Sequence, residues 1–314
     1  MFDVGSLVQL LSSGVLQQQS PEQQTAFANM LMSTLPAKDL EPIKLAPVES
    51  VTVQPVPVEP KKEPVKEPLL RIYYHVTNLP GFQDLAREQI GLMADSGLLE
   101  RAQLYINLHY SVEDYREFRQ EWAQHPLGSR IHWVYAPAGP DEREHTTARL
   151  MHAHAQGSTQ EYYALYVHQK GISYRGLERE FVTRDWQRFM DYWTIHEWRD
   201  CAEALGRPDV DVAGCNWRES PFPHYSGNQY WVRASFLRTC LPLKLPCEVG
   251  YRSQTEHVSP YTDDYKFDVE AWVGHCGARP YNLWESGRDH YWQSYPAEEY
   301  LLRVSKSNVA PTRG

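Results

Sequence analysis

The chain has 314 residues, 42% hydrophobic and 23% charged, and 31 Lys and Arg against 40 Asp and Glu give a formal charge of −9. These values describe a globular protein of one large or two smaller domains and exclude a fibrous one. No stretch approaches the roughly 18 uninterrupted apolar residues of a transmembrane helix, and the N-terminus lacks a secretory signal's basic start and small-residue cleavage site, so no membrane span is expected and the expected address is cytoplasmic.

Ser6–Gln18 and Pro21–Leu35 space their apolar residues by three and four, predicting two short helices in a segment 1–35. Such a hairpin is either a marginal appendage or a docking element for self-association or a protein partner. Residues 36–68 hold eight of the 22 prolines among Val, Glu and Lys, which predicts a semi-extended linker without a hydrogen-bond ladder. From residue 69 to about 300 strand and helix patterns alternate, and 301–314 read as a tail. The predicted order is strand Arg71–Val76, helix Phe82–Arg101, strand Gln103–His109, helix Val112–Gln124, strand Ile131–Tyr135, helix Glu142–Gln156 and strand Tyr162–His168. A long helix Arg184–Leu205 and a strand Asp209–Gly214 follow, then Gly-, Pro- and aromatic-rich sequence. The fold class expected is α/β, a mainly parallel sheet covered by helices. Such sheets bind ligands beyond the carboxyl ends of their strands, which places Thr77, Asn78, Tyr110 and the segment after Val167 around one crevice.

Three segments carry candidate chemistry. In Tyr166–Ser173, His168 and Lys170 point the same way from an extended backbone and Gly171 permits a tight turn, an arrangement suited to a diphosphate. The alternative is a strand end whose polar residues face water. His224–Trp231 gathers His, Tyr, Ser, Asn and Trp around Gly227, as a polyhydroxylated ligand demands, or else forms an aromatic corner. Asp268 and Glu270 share one side if their segment is extended, and either could act as a general base; many such pairs are only solvated charge or helix caps.

Other features favour plainer readings. The five cysteines stand singly, without a Cys-x-x-Cys pair, and read as buried or idle thiols. His152 and His154 cannot project from a common helical face, so no metal site is expected there. The aromatic stripe of Trp186, Phe189, Met190, Trp193 and Trp198 reads as core. The acidic balance makes nucleic acid an unlikely partner.

In this order and spacing the segments resemble a family of glycosyltransferases with a GT-A-like fold found in bacterial surface-polysaccharide clusters and some large viruses. The resemblance spans roughly 70–290 and rests on Asp95-Ser96-Gly97-Leu98, a Tyr-x-His-x-Lys-Gly strand end at Tyr166–Gly171, the helix Arg184–Tyr192, a His-Tyr-Ser-Gly-Asn-x-x-Trp loop at His224–Trp231 and a Glu-x-Trp element at Glu270–Trp272. It implies transfer of a sugar from a nucleotide-sugar to a hydroxyl or glycan acceptor in polysaccharide synthesis, in the host cytoplasm if the chain is viral. The donor would lie against Thr77, Asn78, His168, Lys170 and Gly171. The acceptor would meet His224, Tyr225, Gly227, Asn228, Trp231 and Trp272, with Glu270 as base and Asp268 in reserve. Where many GT-A enzymes carry a metal-binding Asp-x-Asp, this chain has His168-Gln169-Lys170, so a required metal cofactor is not expected, although a divalent ion is possible. Two alternatives stand beside this reading: a non-catalytic glycan- or nucleotide-binding module, and a transferase acting on modified DNA bases through Arg175, Arg179, Arg184 and Arg188.

Overall fold

The computed structural model describes residues 68–109, 115–135, 144–243 and 267–301. The predicted segment 1–35, all but the last residue of the linker, Tyr110, and the tail beyond 301 lie outside these residues.

The first half of the domain alternates as its hydrophobic periods require. It runs β1 (Leu69–Thr77), α1 (Phe82–Asp95), α2 (Leu98–Arg101), β2 (Ala102–His109), α3 (Arg116–Ala123), β3 (Ile131–Tyr135), α4 (His145–Gln156) and β4 (Tyr162–His168). The helix predicted over 82–101 is two helices. Gly97 adopts a left-handed φ of 74° between them, a conformation that costs a residue with Cβ dearly. The second half comprises α5 (Glu180–Asp191), a π-helical turn (Tyr192–His196), α6 (Trp198–Gly206), β5 (Val212–Cys215), β6 (Trp217–Arg218), β7 (His224–Tyr225), β8 (Tyr230–Arg233), α7 (Ala234–Leu237), α8 (Asp268–His275) and β9 (Pro280–Trp284).

A seven-stranded sheet of order β3-β2-β1-β4-β8-β5-β9 organises these elements. β3, β2, β1 and β4 are mutually parallel, β8 runs antiparallel to both its neighbours, and β9 is parallel to β5. The protein is thus α/β with a mainly parallel sheet flanked by helices. All seven residues of β4 are buried, as expected for a central strand covered on both faces. On one face Ile72, Tyr74, Val76 and Leu165 pack with Leu85 and Ile90 of α1 and Trp198 and Cys201 of α6. On the other, Tyr73, Ala164 and Tyr166 pack with Ala148 and Met151 of α4 and Val269 and Trp272 of α8.

Two expectations are corrected here. The helix predicted over Arg184–Leu205 is interrupted by the π-turn, where the amide of Glu197 reaches back to the carbonyl of Tyr192 at 2.9 Å. Its Thr194 carbonyl accepts the indole N–H of Trp231 at 2.7 Å, so the wide turn docks onto the sheet. The Asp268–Trp272 segment is helical rather than extended. Positions two apart on a helix are separated by about 200°, so Asp268 and Glu270 do not share a side.

Among the described residues no helix is long and apolar enough to cross a membrane.

Candidate active site

A cavity of about 410 Å³ opens at the carboxyl ends of β1 and β4, a size that suits a small-molecule ligand. His75 and Thr77 of β1 and His168 of β4 line it, together with the Gln169–Tyr174 turn, Glu144, and Arg179, Thr183, Trp186 and Tyr291. His75 and His168 are register partners on adjacent parallel strands, so their side chains leave the sheet on the same face.

One wall explains why two distant motifs meet here. Thr183, Trp186 and Met190 stand at helical spacing on α5, and both glycine turns rest on this stripe. Gly171, at φ 78°, lies so close that an added Cβ would fall 2.7 Å from Thr183 Cβ. Gly227, at φ 93°, leaves no room either: a Cβ there would overlap the Met190 sulfur and come within 2.9 Å of Trp186 Nε1. The Lys170 ammonium sits 4.1 Å over the Trp186 ring, whose plane also stacks with the His290 ring at 5.7 Å.

Glu144 joins the two motifs through its carboxylate. Oε2 accepts from the Tyr166 hydroxyl at 3.1 Å and from the Asn228 side-chain amide at 2.8 Å. Oε1 lies 3.8 Å from His168 Nε2. Burial on its own would raise the Glu144 pKa, but His168, His75, Lys170 and the Tyr166 hydrogen bond outweigh it and bring the carboxyl down to about 2. Glu144 is therefore ionised at neutral pH. His168 is driven the other way: burial lowers its pKa, Lys170 adds to that, and the nearby Glu144 and Glu270 oppose without reversing it.

Arg179 completes the charge at the cavity. Its guanidinium lies 4.8, 4.7 and 4.8 Å from the ring centres of Tyr174, Tyr291 and Trp292, and Nη2 donates to the Tyr291 carbonyl at 2.5 Å. Gln169 spans the strand ends, accepting from the Thr77 amide at 3.1 Å and donating to the Phe82 carbonyl at 2.7 Å.

The sequence-predicted residues divide into three groups. Thr77, His168, Lys170 and Gly171 line the cavity, while Asn78 is half-buried outside its lining. Asn228, Gly227, Glu270 and His224 form the layer behind it: the Gly227 amide donates to Glu270 Oε1 at 3.0 Å, and His224 Nε2 lies 3.9 Å from the same oxygen. Tyr225, Trp231 and Trp272 belong to the core. The Tyr225 hydroxyl is shared between the carbonyls of Tyr281 (2.7 Å) and Val212 (3.3 Å). Trp231 and Trp272 are 0% exposed, the latter donating to the Leu241 carbonyl at 2.8 Å, so neither ring offers a stacking surface to a ligand. Asp268 is also buried, at the start of α8.

Sequence reasoning missed Glu144, His75, Arg179, Trp186 and Tyr291 as cavity residues. His75 and Thr77 carried a signal, since alternate residues at the end of β1 share a face. The extended backbone expected through Lys170 is not found, because β4 ends at His168 and the Lys170 amide turns back to the His168 carbonyl at 3.0 Å. Glu144 carried none: a single carboxylate ahead of a helix usually reads as a helix-terminus charge.

No protein-family model matches the chain, and a search of curated proteins finds no match. Among solved structures the chain is similar to a mannosyltransferase from Pyrobaculum calidifontis determined with GDP-Man and Mn2+, at 10% identity and a TM-score of 0.41, covering 78% of this chain and 65% of that one. It is also similar to a protein assigned as a nucleotide-diphospho-sugar transferase from Desulfovibrio desulfuricans G20, at 11% identity and a TM-score of 0.38, covering 76% of this chain and 96% of that one.

Proposed function

We propose that the chain is a glycosyltransferase that moves a sugar from a nucleotide-sugar to a hydroxyl acceptor. The observation that carries this reading is the charge layout of one cavity. The cations Lys170 and Arg179 line the same hollow as ionised Glu144 and neutral His168. In the transfer the acceptor oxygen bonds to the anomeric carbon, the carbon–phosphate oxygen bond breaks, and the nucleoside diphosphate leaves with the electron pair. Lys170 and Arg179 would balance the charge that develops on the diphosphate, where fixed cations act most strongly in a water-poor site. His168, expected beside Lys170 on the phosphate, is neutral and therefore adds no charge to that grip.

The residues at the end of β4 do not fit a divalent metal. The Gln169 amide is engaged at both its oxygen and its nitrogen, Lys170 is a cation, and His168 alone of the three is left to ligate. Among the described residues no group of three or more His, Cys, Asp or Glu is placed to hold an ion. On the chemistry of these side chains, metal-independent transfer is included in the proposal, to be tested by chelation.

The two alternatives fare less well. A glycan-binding module would use the aromatic faces of the 224–231 loop, yet Tyr225, Tyr230 and Trp231 are buried. A groove for DNA would need free arginines, whereas Arg184 and Arg188 both pair with Glu88. Thermal-shift measurement against UDP-, GDP-, dTDP- and CMP-sugars, followed by assay of nucleotide release, tests the reading. A donor that both raises the melting temperature and is slowly hydrolysed is the expected result. Binding without any release would leave a binding module.

A further inference from the structure

Resting on that reading, the geometry around Glu144 speaks to where the acceptor's proton goes. Asn228 and Tyr166 occupy Oε2 of the carboxylate, while Oε1 faces the ring of His168 across 3.8 Å, too far for a hydrogen bond. His168 Nδ1 is buried with no hydrogen-bond partner, and the backbone of Asn228 lies beside the ring. With the proton on Nδ1, the Nε2 lone pair would face a carboxylate oxygen. Two acceptors then confront each other at the cavity with no hydrogen between them, an arrangement that a donor hydroxyl resolves. The charged and titratable groups facing His168 come from five places: Glu144 ahead of α4, Lys170 in the following turn, Glu270 on α8, His75 on β1 and Tyr166 on its own strand.

We propose that His168 is the proton acceptor of the transfer and that Glu144 is the anion that stabilises the imidazolium formed. As the acceptor oxygen bonds to the anomeric carbon, its proton passes to His168 Nε2, the glycosidic phosphate bond breaks, and the nucleoside diphosphate departs. The imidazolium then forms an ion pair with Glu144, which stays ionised throughout, and gives its proton to solvent when the products leave. Tyr166 and Asn228 are positioning residues that keep one carboxylate oxygen turned toward the ring. Glu270 serves the site from behind, by holding the Gly227 amide and with it the loop that carries Asn228.

The experiment measures nucleotide release by the full chain, from whichever sugar nucleotide of the UDP-, GDP-, dTDP- and CMP-panel most raises its melting temperature, between about pH 4.5 and 8. In the parent, kcat falls on the acid side with a slope of one as His168 takes up a proton. In His168→Gln that acid limb is lost and kcat drops about 10²–10⁴-fold, while donor affinity stays within about threefold. In Glu144→Gln the acid limb moves to lower pH, because the anion no longer favours the imidazolium. Should His168→Gln not fold, the parent profile and the Glu144→Gln displacement decide the matter. The assignment is overturned if His168→Gln turns over donor at the parent rate, if its acid limb persists, or if Glu144→Gln leaves the limb where it was. If no sugar nucleotide binds or is hydrolysed, the glycosyltransferase reading itself fails and this role goes with it.

Discussion

Replacing Asp191 by Asn isolates the cost of one buried charge beneath the site. Asp191 ends α5 and is 3% exposed. Its carboxylate meets three side-chain amides: Gln89 at 2.9 Å, Gln187 at 2.5 Å and Gln229 at 2.9 Å. Gln229 belongs to the 224–231 loop, so the cage ties that loop to α1 and α5. Burial raises the carboxyl from 3.8 to about 6, against the pull of the three amides. An acid with a raised folded-state pKa keeps its proton in the folded protein after the unfolded chain has released it. Folding therefore gains from protonation below about pH 4 and loses that gain as pH climbs through 6. The displacement corresponds to about 3 kcal/mol. Asn cannot ionise, and its single oxygen faces three donors, which costs about 1–3 kcal/mol at every pH. Urea unfolding of parent and Asp191→Asn from about pH 4 to 8 should show the parent's advantage shrinking by about 3 kcal/mol as pH rises, because other carboxylates cancel in the difference. A difference that stays flat across that range refutes the buried-charge account.

Four further outcomes are expected. Lys170→Ala should weaken donor binding by about 1.5–3 kcal/mol, read by calorimetry, and an unchanged affinity would remove Lys170 from the phosphate. Glu270→Gln keeps an oxygen for the Gly227 amide, so turnover should stay within about tenfold of the parent; a loss nearer 10³-fold would move the proton acceptor to Glu270. Gly227→Ala forces a side chain into left-handed backbone against Trp186 and Met190, and should lower stability by about 2–5 kcal/mol in urea unfolding, with an unshifted midpoint the contrary result. Chelation should leave nucleotide release unchanged; activity that vanishes with chelator and returns with Mn2+ would count against metal independence.

The local signals and the long-range ones part company at identifiable residues. β3 and β4 begin and end where their strand patterns do; β4 is buried throughout because a strand covered on both faces must be nearly continuously hydrophobic, whereas β3 lies at the sheet edge with His132 and Trp133 half-buried. The turn at Gly171 was also legible locally, from a glycine placed just after a strand pattern, although the strand ends at His168 rather than running on to Lys170. The break in the long helix was not, since the π-turn exists to place the Thr194 carbonyl against Trp231, a residue 37 positions away. The fate of the aromatics was equally hidden. Trp231 alternates with Tyr230 and Val232 on β8, so once β8 pairs between β4 and β5, one face or the other must swallow each ring.

Residue order alone determined that this chain forms a layered α/β sheet and that a cationic turn closes its fourth strand, because periodicity and turn chemistry act over a few residues. Only the tertiary structure decided which side chains reach the cavity. Glu144, His168 and Asn228 come together through three separate elements packed on one sheet end, and the protonation of Glu144 and that of His168 each depend on the other's charge, across the stretch of chain that separates them.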